Sequence, residues 1–202
     1  MPMDQAKDTL MRYLQTQRDA LLWKLAGLGE MDMRRPLVPS ATNLLGLVKH
    51  MAGVEYGYFG ETFGRPAPEP MPWAGVPEDQ LETNYDMWAM PGESSAWIVD
   101  FYRRAQAHAN ATVEDLDLDD IGSVPWWPEE RRAVPLHLVI THVIAETARH
   151  AGHADIVREL IDGEIGLREG NTNIPTEADG WWEGYRGRVQ RAAEVAGGHF
   201  IN

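Results

Sequence analysis

Two residues of one predicted helix, Glu146 and His150, have side chains that can bind a metal ion. Their spacing of four residues places both side chains on one face of a helix, one turn apart. The same face carries Val139, Val143 and Val157, which predicts that it is turned towards the core. Because a carboxylate and an imidazole are costly to bury without partners, something must compensate them. The pattern indicates either a bound cation or a buried His–Glu hydrogen bond without a metal.

A third ligand is predicted from an earlier helix, where His50 lies at the margin of an apolar arc. That arc consists of Leu44, Leu47, Met51, Val54 and Tyr58. A lone histidine in such a place is commonly a core residue, yet a bundle that apposes the two helices would bring His50 to Glu146 and His150. Two imidazoles and one carboxylate leave coordination positions open, as in catalytic metal sites. His142 and His153 flank the pair, and they are alternative third ligands or partners that orient a ligand.

Two other charged residues lie near these ligands in the sequence. Arg149 is about 60° from Glu146 on a helical wheel. It is therefore a candidate for binding an anionic group of a cofactor, with a surface salt bridge as the alternative. Glu55 is about 140° round the helix from His50. This angle predicts that Glu55 does not share the metal and lies at the surface or beside a ligand.

Four long helices must position these residues. The apolar periodicity predicts helices from Asp4 to about Leu25, from Leu44 to Phe63, from Trp97 to about Val113, and from Pro135 to about Ile161. Five prolines between residues 66 and 77 indicate a crossing loop, and the run 115–128 is also predicted as loop. We therefore predict an all-α fold, a four-helix bundle with long crossing connections.

The chain is predicted to form one metal-binding bundle domain over residues 1–165 and a C-terminal extension over residues 166–202. The extension contains a short predicted helix from Trp181 to Val195. Its Trp181, Trp182 and Tyr185 are too apolar to remain in water together. We expect them to pack over the bundle or against a second subunit of a homodimer.

The composition excludes several classes of protein. A net charge of -13 argues against binding to nucleic acid, which requires clustered Lys and Arg, and no basic amphipathic stretch favours a membrane surface. The chain has no cysteine, so a disulfide framework, a thiolate metal site and a cysteine nucleophile are excluded. Residues 1–5 lack the basic and apolar regions of a targeting segment, and we expect a cytoplasmic protein.

Two segments resemble motifs of the DinB-like (damage-inducible) four-helix-bundle superfamily. Residues 47–55, Leu-Val-Lys-His-Met-Ala-Gly-Val-Glu, resemble its second-helix motif, and residues 146–159 resemble its closing metal motif. The order of elements fits the superfamily from about Asp4 to Gly163. Its members typically bind a divalent metal through three histidines, whereas here the first residue of the closing pair is Glu146. The mycothiol-dependent maleylpyruvate isomerase branch also has Glu at that position.

The resemblance implies an enzyme that activates a low-molecular-weight thiol, of the mycothiol or bacillithiol type, for S-transfer to an electrophilic substrate or for isomerisation. It implies a divalent metal held by His50, Glu146 and His150, with Zn²⁺ favoured over Ni²⁺ and Fe²⁺. The alternative is a non-catalytic bundle in which a structural metal or a His–Glu network supports binding of a protein or small ligand. A non-haem iron oxygenase is a third interpretation, since two His and one carboxylate also suit Fe(II).

Overall fold

The computed structural model describes residues 3–77, 79, 81–175 and 177–198, and these residues are mainly helical. The predicted all-α class is therefore confirmed. The α-helices of the described residues are α1 (Met3–Trp23), α2 (Glu30–Arg34), α3 (Leu44–Glu55), α4 (Ser95–Asp115), α5 (Leu136–Asp162) and α6 (Trp181–Ala196).

The four long helices α1, α3, α4 and α5 form the bundle. Helix α1 packs along α5, and α3 packs against both α4 and α5. The core between them is made of fully buried apolar side chains, among them Leu14, Leu21, Leu47, Met51, Phe101, Val139 and Val143. Helices α3 and α5 therefore face each other, which is the arrangement that a site shared by His50 and the Glu146–His150 pair requires.

The ends of these helices follow from local chemistry. The side chain of Asn43 accepts a hydrogen bond from the backbone N–H of Gly46 at 2.8 Å, which caps the start of α3. Ser94 caps α4 in the same way by accepting from the N–H of Trp97. Helix α5 ends at Gly163, whose φ of 79° lies in the left-handed region that glycine adopts without strain.

Helix α3 does not continue to Phe63 as one regular helix. It is followed by a π-helical turn, Tyr56–Gly60, and then by a 3₁₀ turn, Glu61–Phe63, so the prediction of a single α-helix over this range is wrong in its last part. The Thr62 hydroxyl donates to the carbonyl oxygen of Gly57 at 3.1 Å, a bond that spans the wide turn. The turn also brings Gly57 against the ring of Trp126, where a Cβ would lie only 2.9 Å from the ring.

Regular structure also occurs in the run 115–128, which was predicted as loop, and Pro135, the predicted start of the fourth helix, belongs to a strand instead. Strands β1 (Ile121–Ser123) and β2 (Ala133–Pro135) pair antiparallel, with Ile121 opposite Pro135. Three residues are too few to show an alternating pattern in the sequence, which explains why the strands were not predicted. The short helix α2 lies between α1 and α3, in a stretch for which no helix was predicted.

The chain falls into two compact units, Met1–Thr172 and Asn173–Asn202. Helix α6 lies in the second unit, where the rings of Trp181 and Tyr185 stack with centroids 5.0 Å apart. No residue of α6 is buried. The packing of the C-terminal extension and the homodimer stay predictions, and residues 199–202 of the extension lie outside the described part of the chain. Among the described residues, no helix is both long enough and apolar enough to cross a membrane.

Candidate metal centre

The face of α5 that carries Glu146 and His150 is the face turned towards the core, as the periodicity predicted. The apolar side chains on this face, Leu136, Val139, Val143, Ala154 and Val157, are all buried. His150 lies among them and is only 8 % exposed. Glu146, at the margin, is 32 % exposed. The metal-binding groups therefore lie where the bundle core meets solvent.

The structure brings the three predicted ligands together. The Nε2 atom of His150 lies 3.1 Å from Oε1 of Glu146, and the Nε2 atom of His50 lies 3.7 Å from the same oxygen. The two imidazole rings are edge to face, with centroids 4.9 Å apart. One ligand atom from each of the three residues lies within 4.8 Å of the others. Helices α3 and α5 thus supply two imidazoles and one carboxylate to a single point.

This group fits a divalent transition metal. Bonds of about 2.0–2.2 Å in a tetrahedral shell place neighbouring ligand atoms roughly 3.3–3.6 Å apart, and the distances of 3.1 and 3.7 Å fall on either side of this range. The donor set of imidazole nitrogen and carboxylate oxygen suits Zn²⁺, and also Ni²⁺ and Fe²⁺. The other ring nitrogen of His150, Nδ1, does not face Glu146 and is buried without a hydrogen-bond partner among the described residues.

The electrostatics of the pair favour the protonation states that bind a metal. Burial lowers the pKa of His150, and the neighbouring His50 lowers it further, although Glu146 acts in the opposite direction. Burial acts to raise the pKa of Glu146, but the three imidazoles of His150, His50 and His142 outweigh it, and this pKa lies below its ordinary value. The site therefore favours a neutral imidazole at His150 beside an ionised carboxylate, which are the forms that ligate metals.

Asp86 is part of the site, although the sequence did not indicate it. Its Oδ2 atom lies 2.6 Å from Nδ1 of His50. The hydrogen bond with His50 holds the pKa of Asp86 below its ordinary value, against the effect of burial. Asp86 belongs to the connection between α3 and α4, which has no periodic pattern from which its position relative to His50 could be inferred.

The alternative ligands lie outside the group of three. His142 packs against Tyr58, with ring centroids 4.6 Å apart, and its ring also approaches Trp127. His153 is exposed, and its ring centroid lies 5.4 Å from that of His150. Among the described residues the metal-binding group consists of His50, Glu146 and His150 alone. The geometry thus favours the three first-named ligands over the two alternatives.

The two charged neighbours differ in their surroundings. Arg149 is exposed and makes no hydrogen bond or ion pair with the described part of the chain, so its role in binding a cofactor stays a prediction. Glu55 is fully buried, so the alternative that places it at the surface is wrong. It forms an ion pair with Arg18 from α1 at 2.6 Å. The helical wheel of α3 could not predict this burial, because the partner lies on another helix.

An aromatic cluster that includes His142, one turn before Glu146 on α5, adjoins the three candidate ligands. It consists of Tyr58, Trp126, Trp127 and His142. The indole N–H of Trp127 donates to the hydroxyl of Tyr58 at 3.2 Å. Trp126 remains 50 % exposed although one edge rests on Gly57. Both tryptophans come from the segment between β1 and β2, so that segment covers the bundle beside the site.

Comparison with known protein families gives a match over most of the chain. Residues 9–163 match the family model described as mycothiol-S-transferase. The matched range contains most of α1, all of α3, α4 and α5, and the whole metal-binding group. No curated protein matches the chain.

Proposed function

This chain belongs to the mycothiol-S-transferase family, and we propose that it is a divalent-metal-dependent enzyme. Its reaction joins a low-molecular-weight thiol, mycothiol or a thiol of the bacillithiol type, through its sulfur to an electrophilic small molecule. The observation that carries the proposal is the cluster of His50, Glu146 and His150, with one ligand atom of each within 4.8 Å of the others.

The proposed role of the protein is to hold the metal with three ligands and leave room for the thiol. A bound Zn²⁺ lowers the pKa of a coordinated thiol, and the thiolate is the nucleophilic form. Because the chain contains no cysteine, the sulfur must come from a cosubstrate. In S-transfer this sulfur forms a bond to the electrophilic carbon, the leaving group departs with its electron pair, and the thiol proton passes to solvent. In the isomerisation alternative the sulfur adds to the substrate and later leaves again.

The number of ligands supports a catalytic role over a structural one. Structural zinc sites are closed by four protein ligands, whereas catalytic sites keep one position for water or substrate. The described residues supply three ligands, and His142 is turned to the aromatic cluster instead. The non-catalytic bundle remains the alternative function, and a fourth ligand from His153 would favour it. The identity of the metal, the cytoplasmic location and the homodimer are parts of the proposal that need separate tests.

Metal analysis with matched variants tests the proposal. His150→Ala should lose most of the bound metal, whereas His153→Ala, three residues along the same helix, should retain it. In the Co²⁺-loaded protein, mycothiol should produce a sulfur-to-cobalt charge-transfer band that saturates with thiol concentration. The same protein should then consume mycothiol in the presence of an alkylating electrophile.

Three outcomes would contradict parts of this proposal. Full metal occupancy in His150→Ala would remove the assigned ligand set. Metal loss in His153→Ala would indicate a closed, structural site. A cobalt spectrum that no thiol perturbs, in a protein that retains its metal, would exclude the thiol as a metal ligand and favour hydrolysis or a structural role.

A further inference from the structure

We infer that Asp86 is a positioning residue of the metal centre, which fixes the imidazole of His50 with Nε2 directed at the ion. The inference rests on the proposed metal site but not on the identity of the thiol or of the reaction. It begins with the hydrogen bond of 2.6 Å between Nδ1 of His50 and Oδ2 of Asp86. The side chains are 21 % and 27 % exposed, so water competes only in part for this bond.

The direction of this hydrogen bond follows from the chemistry of its partners. An ionised carboxylate can only accept, so Nδ1 of His50 must carry the proton and donate it to Asp86. In a neutral imidazole the other nitrogen, Nε2, then has a free lone pair. Nε2 is the atom that lies 3.7 Å from Oε1 of Glu146, on the side of the metal-binding group. Asp86 therefore selects the tautomer and the ring orientation that a metal at this site requires.

The backbone that carries Asp86 is held in place by a buried lysine of α3. Lys49 is only 2 % exposed, and its ammonium group donates to the carbonyl oxygens of Tyr85 at 3.4 Å and Trp88 at 3.0 Å. It also forms an ion pair with Glu93 at 2.9 Å. These contacts lie on both sides of Asp86 along the chain. The lysine next to His50 in sequence thus fixes the loop whose carboxylate binds His50.

A second set of contacts holds the same loop from the start of α3. The side-chain amide of Asn43 donates to the carbonyl oxygen of Met87 at 3.1 Å. Gly46 lies directly against that carbonyl, and a Cβ at this position would overlap it. Met87, the residue after Asp86, therefore contacts the start of α3, the helix that carries His50. Because the loop is held without Asp86, a substitution of its carboxylate should change the imidazole and leave the loop in place.

The two histidines of the site differ in this respect. Nδ1 of His50 has a carboxylate partner, whereas Nδ1 of His150 is buried without a partner among the described residues. A carboxylate bonded to the outer nitrogen raises the basicity of a ligating imidazole. Asp86 gives this support to His50, and the described residues give none to His150.

The test compares two substitutions that remove one negative charge from the same loop. Asp86→Asn keeps the shape of the side chain but removes the charge-assisted hydrogen bond. Glu82→Gln changes an exposed residue of the same connection and serves as the matched control. We expect the affinity for Zn²⁺, measured by competition with a chromophoric chelator, to fall about 10- to 100-fold in Asp86→Asn and to stay unchanged in Glu82→Gln. Equal losses in both variants would overturn the inference, since only the overall charge would then matter.

The tautomer of His50 gives a readout that does not depend on the metal. Long-range ¹H–¹⁵N spectra of the metal-free protein should show His50 protonated at Nδ1, and Asp86→Asn should populate both tautomers. Nuclear Overhauser contacts between residues 85–88 and α3 should persist in this variant, because Lys49 and Asn43 still hold the loop. A displaced loop, or an unchanged tautomer together with an unchanged affinity, would overturn the inference. If the wild-type protein binds no divalent metal, the proposed function fails, and the tautomer comparison alone decides the role of Asp86.

Discussion

Helix α3 takes part in two polar clusters that are built in opposite ways. At Glu55 the carboxylate meets the guanidinium of Arg18 in two hydrogen bonds, of 2.7 and 2.6 Å, and both side chains are fully buried. The remaining guanidinium nitrogen donates to Asn110 and Gln15. At His50 the cluster is partly open to solvent, its distances to Glu146 are longer, and one buried nitrogen lacks a partner among the described residues.

Within one helix, this difference separates a polar cluster that stabilises the fold from a polar cluster that can bind an ion. A buried ion pair is tolerable when its geometry is bidentate and its other donors are satisfied, as at Arg18 and Glu55. At the other cluster Oε1 of Glu146 faces Nε2 of His150 at 3.1 Å and Nε2 of His50 at 3.7 Å, and these lone-pair atoms can bind an added cation. Burial alone would have ranked Glu55 above Glu146 as a functional carboxylate. The completeness of the hydrogen bonding reverses that order.

The largest predicted effect comes from breaking the complete cluster. Glu55→Gln removes the charge that compensates the buried Arg18, and it should destabilise the protein by about 3–5 kcal/mol. Denaturant unfolding followed by circular dichroism measures this change. The double variant Arg18→Met/Glu55→Leu should recover most of the loss, because neither charge is then buried. A loss below about 1 kcal/mol in Glu55→Gln would show that the pair is not structural.

Metal removal should have the next largest effect, and it should act through the other cluster. At a free Zn²⁺ concentration about 100 times the dissociation constant, the ion should stabilise the native state by about 2.7 kcal/mol. A chelator should therefore lower the unfolding midpoint of the wild-type protein. The chelator should lower the free energy of unfolding of Glu55→Gln by the same amount as that of the wild-type protein. It should not change the free energy of unfolding of His150→Ala. A midpoint that does not respond to chelation would mean that no ion is bound at the concentration used.

The incomplete cluster should tolerate the loss of a ligand when no metal is present. In the metal-free protein, His150→Leu removes the Nδ1 atom that lacks a partner together with the Nε2 contact to Glu146. Because the Glu146 carboxylate is partly exposed and can bond to water instead, the effect on the free energy of unfolding should stay within about 1 kcal/mol. Chelator-treated samples in denaturant titrations provide the measurement. A loss comparable with that of Glu55→Gln would show that the histidine belongs to a structural network, and the contrast between the clusters would disappear.

The smallest predicted effect concerns an exposed pair with the same chemistry as the buried one. Hydrogen bonds from Arg104 hold the pKa of Glu69 below its ordinary value of 4.5, and a bond from Tyr56 acts in the same direction against partial burial. A carboxyl with a lowered folded-state pKa stabilises the protein above its unfolded pKa, and this contribution is lost as the pH falls through the folded pKa. Because the pair is partly exposed, the contribution should be below about 1 kcal/mol.

Glu69→Gln should therefore flatten the decline of stability below about pH 4.5 by only this small amount. Unfolding titrations between neutral and acidic pH compare the variant with the wild-type protein. A change as large as that expected for Glu55→Gln would indicate that burial is not what distinguishes the two ion pairs.

The parts of the fold that follow a helical period could be predicted, and the parts that depend on loop paths could not. The long helices and the joint position of His50, Glu146 and His150 follow from apolar periodicity, because it fixes which face of a helix enters the core. Asp86 reaches His50 through a connection that has no such period. Glu55 was misplaced for a related reason, since its burial depends on Arg18, which lies on another helix.

The π-helical turn at Tyr56–Gly60 has a consequence for the alignment of related sequences. A π turn contains one residue more than an α turn, so it acts as a single-residue insertion inside a helix. His50 precedes the turn and Tyr58 lies within it. A relative that lacked one residue here would keep its metal ligand in phase but would turn the following aromatic residues to another side. A one-residue gap at this point in an alignment is therefore structurally meaningful, and closing it would misassign the aromatic residues beside the candidate metal ligands.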